Sequence, residues 1–261
     1  MTNFPVVFGI DLDAESSWLG KSPENAGKPV LLSHGAYEIR EGLKFLLDVL
    51  DRHSVQSTFF IPGLIAHRHP EAVTEIFRRG HEIASHGYNH LSPPLLDASQ
   101  EKKELASGIE TLEKITGRRP VTWQAPSWEI TSRTIDYLID EGVSVSSNFH
   151  DSTGPYRHVR NGVPLPLVEL PVEWHLADAP FFLYGAMPGR QIWPPLTVEE
   201  MWKEDFRGLY EREGSYFRLA LHVQLIAHPG RLRMLERFIQ FIKEHPNAYF
   251  TRCDELAATI A

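Results

Sequence analysis

Residues 5–13 read Pro-Val-Val-Phe-Gly-Ile-Asp-Leu-Asp, and this stretch decides the fold. Residues 5–10 are almost entirely apolar, with β-branched and aromatic side chains, which is typical of a strand buried on both faces. Two carboxylates, Asp11 and Asp13, follow at once. A buried strand that ends in acidic residues indicates a parallel α/β protein, because such proteins gather their polar groups at the carboxyl ends of the strands.

Short apolar runs and helical patterns alternate along the rest of the chain. Further strands are predicted at residues 56–61, 82–85, 120–123, 143–146, 167–170, 216–222 and 248–251. Helices are predicted at residues 40–53, 70–79, 99–116, 131–141, 198–210 and 232–245. This alternation predicts an α/β fold with parallel strands and helical crossovers. No shift in composition marks a linker, so we expect a single domain over residues 1–261.

Residues 14–37 interrupt the alternation. They contain Gly, Pro, Ser and Asn with little periodicity, so we expect a long loop. Loops of this length inside a compact domain usually have a function. We therefore expect this segment to border the functional site.

Composition and charge exclude several classes of partner. Hydrophobic residues make up 42% of the 261, enough for a large core, and the net charge is −8 with no basic run. Nucleic acids and anionic membranes need a cationic face, so neither is expected. The first residues resemble a core strand more than a signal peptide, and no apolar stretch approaches the ~20 residues that span a bilayer. Cys253 is the single cysteine, which fits a reducing compartment. We expect a cytoplasmic protein with a small-molecule partner.

Asp11 and Asp13 are two residues apart, so both can point into one cleft if the chain stays extended. Two close carboxylates repel each other, which raises the pKa of one of them unless a cation neutralises the pair. Taken alone, such a pair is also explained by a solvated acidic turn. The two acids indicate a functional site only if other candidate ligands lie close to them.

Residues 86–90 read His-Gly-Tyr-Asn-His and follow the strand predicted at 82–85. In a helical turn, His86 and His90 would lie on one face and could share a metal. With Asp13 they make a set of two histidines and one carboxylate that leaves coordination positions for water, as in catalytic metal sites. The chain has thirteen histidines, so a chance pair is the alternative interpretation.

Two more strand ends are polar. Residues 124–128 read Gln-Ala-Pro-Ser-Trp, and the apolar run 219–221 leads directly into His222. A histidine at the mouth of a barrel suggests a function, although a buried core histidine remains the alternative. Three tryptophans are candidates for the walls of a substrate pocket, or for plain core packing: Trp18, Trp128 and Trp174.

Five ordered motifs carry a family resemblance: GIDLD, STFFIPG, GHEIASHGYNH, QAPSW and LALH. In order and spacing they resemble the polysaccharide-deacetylase (NodB-homology) family from residue 6 to the end of the chain. The chain most resembles the cytoplasmic branch with the Helicobacter peptidoglycan-deacetylase-like protein, cyclic imide hydrolases and the metal-independent allantoinase. The resemblance implies a distorted (β/α) barrel of about seven parallel strands and a homo-oligomer, either a dimer or a tetramer.

The resemblance also implies roles for individual residues. Asp11 would be the general base and His222 the general acid. The reaction also needs a group that binds the oxyanion, and the backbone N–H of Tyr88 is a candidate. A divalent metal is expected, with Zn²⁺ as the first choice although other transition metals also fit. Its ligands would be Asp13, His86 and His90.

Four departures from the family pattern affect the surroundings of these residues. Gln124 stands where many members carry an arginine that holds the base carboxylate. His222 is followed by Val where the branch has Pro, and His228 stands where it has Arg, so His228 is a second candidate acid or a contact at the pocket rim. Residues 177–178 (Ala-Asp) and 146–148 (Ser-Ser-Asn) also differ. The metal ligands are therefore retained while their surroundings are altered.

Three functions remain open at this stage. The first is a metal-dependent hydrolase of C–N amide bonds that acts on a small cytoplasmic amide, cyclic imide or ureide. The second is a deacetylase of an N-acetyl sugar or peptidoglycan-type substrate. The third is a non-catalytic binding protein on the same fold. A pocket roofed by residues 14–37 or by a neighbouring subunit favours the first, and an open groove favours the second.

Overall fold

A computed structural model describes residues 3–184 and 191–260 of the chain. The strands are β1 Phe4–Asp11, β2 Thr58–Ile61, β3 Glu82–Ser85, β4 Thr122–Trp123, β5 Val145–Ser146, β6 Tyr156–Arg160, β7 Val163–Glu169, β8 Phe217–His222 and β9 Ala248–Thr251. The helices are α1 Ser16–Leu19, α2 Pro29–Tyr37, α3 Leu43–Arg52, α4 Gly63–Arg68, α5 Pro70–Arg78, α6 Ala98–Thr116, α7 Thr134–Asp140, α8 Ala179–Phe182, α9 Pro195–Tyr210, α10 Val223–Ile226, α11 Pro229–Lys243 and α12 Cys253–Ala257. The predicted alternation of strands and helices is confirmed.

The strands form one mostly parallel sheet in the order β6-β7-β5-β4-β3-β2-β1-β8. Strand β8 pairs with residues 6–11 along one side of β1. Strands β9 and β2 both pair with the other side of β1. Strand pairing leaves β6 and β8 as the two ends of the sheet. A bridge between Ala177 and Ala220 connects the segment after β7 to β8. The predicted α/β fold is therefore confirmed, although strand pairing does not close the ring.

Side-chain alternation along β1 places the first acid inside the ring of strands. Val6, Phe8 and Ile10 belong to the large core between the sheet and the helices. Val7 belongs to a second cluster on the other face of the sheet. Because successive side chains of a strand point to opposite faces, Asp11 lies on the same face as Val7. A carboxylate is thus placed at the carboxyl end of the enclosed face.

Residues 14–37 are not a loop, and that prediction is wrong. They contain α1, a 3₁₀ turn at Pro23–Gly27 and α2. The Ser22 hydroxyl accepts a hydrogen bond from the Glu24 N–H, and proline stands early in both the 3₁₀ turn and α2. These are ordinary helix-start signals. The helices are short and α2 lacks a clear apolar stripe, so the periodicity that identifies longer helices is missing.

The antiparallel pair β6–β7 was also missed, because only residues 167–170 were predicted as a strand there. Glycine closely follows two of the helices: Gly80 (φ +85°) comes after α5 and Gly142 (φ +75°) comes after α7. Both adopt the left-handed conformation that favours glycine. In the described part of the chain, none of the helices combines the length and apolar composition needed to cross a membrane.

Candidate active site

Polar side chains meet at the carboxyl ends of several neighbouring strands. Asp11 ends β1 and lies opposite His222, which ends β8. His86 follows β3 and Gln124 follows β4, the neighbouring strand. All four line a common pocket, because parallel strands bring their carboxyl ends to the same edge.

Asp13, His86 and His90 form a potential metal site. Their ligand atoms all lie within 4.8 Å of one another. The Asp13 Oδ2 is 3.3 Å from the His90 Nε2, and the Asp13 Oδ1 is 3.8 Å from the His86 Nε2. Oδ1 is buried and accepts no hydrogen bond within the described residues. A buried acceptor of this kind calls for a partner, and a divalent cation such as Zn²⁺ fits this donor set.

Residues 86–90 adopt a turn, so the predicted helical arrangement of the two histidines is wrong. Gly87 (φ +71°) and His90 (φ +60°) are both in the left-handed region. The turn nevertheless brings the two imidazole rings to a centroid distance of 5.0 Å. The His86 Nδ1 is 2.7 Å from the Gln124 carbonyl oxygen. Donation from Nδ1 to this carbonyl leaves Nε2 as the ligand atom, as is usual for metal-binding histidines.

The protonation states of the ligands suit metal binding. Burial is the main cause that lowers the pKa of His86 to about 4, so its ring is neutral at pH 7. Burial alone would raise the pKa of Asp13, but His90 and His86 outweigh it and hold the pKa below its ordinary range. Deprotonated nitrogen and carboxylate ligands are the forms that bind a cation.

His222 is held by a buried carboxylate whose role the sequence analysis did not identify. The Asp178 Oδ1 is 2.7 Å from the His222 Nδ1, and its Oδ2 accepts the His222 backbone N–H at 2.9 Å. Burial would lower the pKa of His222, but Asp178 together with Asp11 raises it to about 10. The ring is therefore protonated at neutral pH, and its Nε2 lies 3.4 Å from the Asp11 Oδ2.

The pKa of Asp11 is raised as well. Burial raises its pKa to about 7, and the neighbouring His222 offsets only part of this effect. A carboxylate that titrates near neutrality beside a protonated imidazole is an arrangement that suits a base and an acid. The geometry thus brings together the two residues that the resemblance assigned to these roles.

Residues that depart from the family pattern still form hydrogen bonds around the site. Gln124 approaches the base carboxylate, with its Nε2 at 3.2 and 3.4 Å from the two Asp11 oxygens. The Asn148 Oδ1 accepts the Ala125 N–H at 2.7 Å, and its Nδ2 donates to the Ser146 Oγ at 2.9 Å. These substituted residues therefore still support the segment that carries Gln124.

A pocket of about 390 Å³ opens above the polar cluster. Trp18, Trp128 and Trp174 all line it, and the rings of Trp128 and Trp174 are 4.5 Å apart. Lys21, from the segment before α2, and Leu183, just after α8, complete the walls. The structure thus brings the three tryptophans to one cavity.

Two predicted contacts do not lie in this pocket. The Tyr88 N–H already donates to Glu104 at 3.1 Å and its ring packs over Gly63, so it is not available to an oxyanion at the metal. His228 is exposed and stacks on Tyr37 with the ring planes 2° apart. Neither residue lines the pocket. Backbone spacing alone could not reveal these competing partners.

Comparisons with known proteins agree with this geometry. Residues 27–146 match the polysaccharide deacetylase family. A solved Mycobacterium smegmatis protein assigned to the polysaccharide deacetylases is 35% identical, with a TM-score of 0.92 over 98% of this chain and 90% of that one. The chain belongs to the polysaccharide deacetylase family.

Two further relatives indicate the range of the family. The peptidoglycan deacetylase of Helicobacter pylori is 28% identical over 97% of this chain and 94% of its own length. PuuE allantoinase shares the fold, with a TM-score of 0.85 and 24% identity over 97% of this chain and 89% of that one. The chain is a hydrolase that acts on carbon–nitrogen bonds other than peptide bonds.

Proposed function

We propose that this chain is a metal-dependent hydrolase of small amides, with a cyclic imide, a ureide or a compact linear amide as substrate. The observation that carries the proposal is the shape of the pocket. Trp18 and Lys21, from the segment 14–37, line it together with Trp174 and Leu183. A substrate above Asp11 would thus be enclosed rather than laid across an open groove.

The size of the pocket supports a small substrate. Its volume of about 390 Å³ is near the lower end of the ~300–1,000 Å³ usual for ligand pockets. Aromatic walls such as the Trp128–Trp174 pair offer apolar faces against which a planar imide or ureide ring can pack. A polymer would instead need a cleft that is open at both ends.

Asp13, His86 and His90 are the residues that would hold the divalent ion, with Zn²⁺ as the first choice. The support is the buried, unpartnered Oδ1 of Asp13 and the neutral ring of His86. When bound, such an ion acidifies a coordinated water and polarises the substrate carbonyl. The chain's own groups then have to move two protons.

Asp11 is the proposed acceptor of the proton from the attacking water, since its pKa near 7 suits a general base. His222 is the proposed donor to the leaving nitrogen, because an amine leaves poorly unless it is protonated. Asp178 keeps the His222 ring protonated and fixes its orientation through Nδ1. Gln124 holds the carboxylate of Asp11.

The second candidate is an N-acetyl sugar deacetylase. It is favoured by the Helicobacter pylori relative, which is called a peptidoglycan deacetylase and aligns over 97% of this chain. The same acid, base and metal ligands would serve that reaction. The pairing and orientation of the proposed acid and base argue against the non-catalytic alternative.

A substrate panel separates the two candidates. Zn²⁺-loaded protein would be assayed with a five-membered cyclic imide, a cyclic ureide and N-acetylglucosamine oligomers, with Asp11→Asn purified in parallel to detect contaminating hydrolases. We expect kcat/KM for the imide or ureide to exceed that for the oligomers by at least about tenfold, a discrimination within the reach of pocket shape. The opposite order would replace the proposal with the deacetylase.

Location and assembly belong to the same proposal. We propose a cytoplasmic enzyme because the chain contains a single cysteine, Cys253, which fits a reducing compartment. This cysteine is buried, and burial raises the pKa of its thiol to about 12. Such a thiol is unreactive, and no intrachain disulfide is available to the chain. A homo-oligomer, implied by the family resemblance, remains a prediction that sedimentation analysis would test.

A further inference from the structure

Arg218 is a buried cation inside the ring of strands. It belongs to β8 and is only 2% exposed. Its guanidinium donates from Nη1 to the Leu219 carbonyl oxygen at 2.8 Å and lies 5.4 Å from the ring of Phe60. Among the described residues it forms no ion pair with a carboxylate. A buried charge without a counter-charge in contact is costly, so its presence calls for an explanation.

Gly9 provides the space that the guanidinium occupies. Gly9 lies in the middle of β1 and is paired with Ala220 of β8. A Cβ at this position would lie 2.0–2.2 Å from the guanidinium atoms of Arg218. The backbone of Gly9 is not in the left-handed region, so conformation does not demand glycine there. Glycine is required there because the Arg218 guanidinium approaches the backbone too closely for a Cβ.

Gln124 connects this cation to the base. Its side chain is 1% exposed, its Oε1 accepts from the Arg218 Nη2 at 3.1 Å, and its Nε2 faces both Asp11 oxygens. An amide can present either its oxygen or its nitrogen to a neighbour. Arg218 can only donate, so it binds the oxygen and turns the NH₂ group towards Asp11. Without Arg218 the amide could flip and present its oxygen to a carboxylate that it would repel.

We propose that Arg218 is a positioning residue that acts through Gln124 to fix the carboxylate of Asp11, with Gly9 as its steric counterpart. This rests on the proposed role of Asp11 as the general base. The cation approaches the base from β8, behind the glutamine. Arg218, Gln124 and Gly9 therefore form one functional unit spread over three strand regions.

The test measures kcat, KM and bound Zn²⁺ for Arg218→Ala, Gly9→Ala and the double variant. Arg212→Ala, which removes an exposed arginine elsewhere, is the matched control. We expect kcat of Arg218→Ala to fall roughly 10- to 100-fold, the usual cost of misplacing a reacting group, while KM stays within about threefold. Bound Zn²⁺ should remain at wild-type stoichiometry, and Arg212→Ala should behave as wild type.

Gly9→Ala should show a similar loss of kcat because it displaces the guanidinium. In the Arg218→Ala background it should add almost nothing, since the space is then vacant. A kcat within about twofold of wild type in either single variant overturns the proposal, as do fully multiplied losses in the double variant. If Arg218→Ala does not fold, Gly9→Ala against Arg212→Ala decides alone.

Crystal structures of the wild type and Gly9→Ala give a readout that does not depend on turnover. The proposal expects the Gln124 amide to rotate and its contact with Asp11 to be lost in the variant. Unchanged positions of both side chains overturn it. If the wild type hydrolyses none of the amides, the proposed function fails, and the crystallographic comparison still decides the role of Arg218.

Discussion

The Nδ1 of His222 lies 2.7 Å from Asp178, and its Nε2 lies 3.4 Å from Asp11. One imidazole is thus placed between two carboxylates of different function. Asp178 is fully buried and uses its second oxygen on the backbone of β8, which fixes the ring. Asp11 is the one that faces the pocket. The side of the ring that exchanges protons is therefore set by geometry.

Asp11→Asn keeps the size of the side chain but removes its capacity to accept a proton. We expect kcat to fall by roughly 10²–10⁴, the usual contribution of general acid–base catalysis. Zn²⁺ binding, measured by elemental analysis, should be retained because Asp11 is not among the proposed ligands, which are Asp13, His86 and His90. Activity within a few-fold of wild type would identify Asp11 as a packing residue.

The two histidines of the β8–α11 segment provide a matched pair. His222→Ala removes the proposed proton donor, so kcat should fall by roughly 10²–10⁴. His228→Ala removes an exposed ring that stacks on Tyr37 outside the pocket, so kcat and KM should both stay close to wild type. Steady-state kinetics on both variants checks this, and a larger loss for His228→Ala would mean that the acid lies elsewhere on the segment.

Sequence alone could identify residues whose chemistry is local. Asp11, Asp13 and His222 each follow an apolar strand, so their position was predictable from the run before them. Asp178 and Arg218 were not recognised because their partners are distant in sequence. Asp178 contacts His222, 44 positions away, and Arg218 contacts Gln124, 94 positions away. Likewise, the Tyr88 N–H looked available until Glu104, 16 residues on, proved to accept it. Tertiary partners of this kind leave no periodic signal.

At the scale of single elements, β3 carries functional groups at both of its ends. Its last residues lead into His86, while its first residue, Glu82, is buried at the opposite edge of the sheet. Glu82 accepts hydrogen bonds from Thr58 of β2 at 2.6 Å and from Thr122 of β4. It also accepts the Asp254 N–H at 3.1 Å. One carboxyl therefore connects three neighbouring strands and α12.

Burial, with Asp254 as a second cause, raises the pKa of Glu82 from 4.5 to about 7. The folded protein retains this proton up to about pH 7, whereas the unfolded chain releases it near 4.5. Between these pH values the unfolded state binds fewer protons than the folded state. The contribution of Glu82 to the free energy of unfolding therefore decreases as pH rises. The contribution is present below pH 4.5 and is lost as pH approaches 7.

Glu82→Gln should remove this dependence. Relative to wild type, the variant should gain roughly 1–3 kcal/mol in free energy of unfolding between pH 4.5 and 7.5. Urea unfolding at several pH values measures it, with Glu113→Gln, an exposed partner of Arg119, as the control that should show no such trend. A difference between Glu82→Gln and wild type that stays constant with pH would contradict the assigned shift.

Element predictions succeeded where the pattern is long or strongly apolar. The structure has α6 at Ala98–Thr116 against the predicted 99–116, and β9 matches residues 248–251. The missed elements are short. They include α1 and α2 within the expected loop, the edge strand β6, and the helices α4, α8 and α10. Four residues of helix cannot display a 3.6-residue period, and β6 is half exposed with mixed polarity. Tertiary contacts stabilise these elements.

At the scale of the molecule, the carboxyl ends and the amino ends of the parallel strands carry different chemical groups. The carboxyl ends of the strands carry the proposed acid, the proposed base and the three potential metal ligands, while the buried Glu82 lies at the amino ends. Between them, Arg218 occupies the interior behind the base. The segment after β7 contacts β8 through a single bridge and contributes Asp178. The fold thus positions a pocket whose floor is polar and whose walls are aromatic.

We propose that hydrolysis requires one divalent ion held by Asp13, His86 and His90. The direct measurement removes metal from the purified enzyme with a chelator, then follows hydrolysis of its best amide substrate while Zn²⁺ is added back. We expect activity to disappear on stripping, to rise in proportion to added Zn²⁺ up to one equivalent and then to level off, with His86→Ala inactive throughout. A stripped wild-type enzyme that hydrolyses its substrate at the full rate would contradict the account.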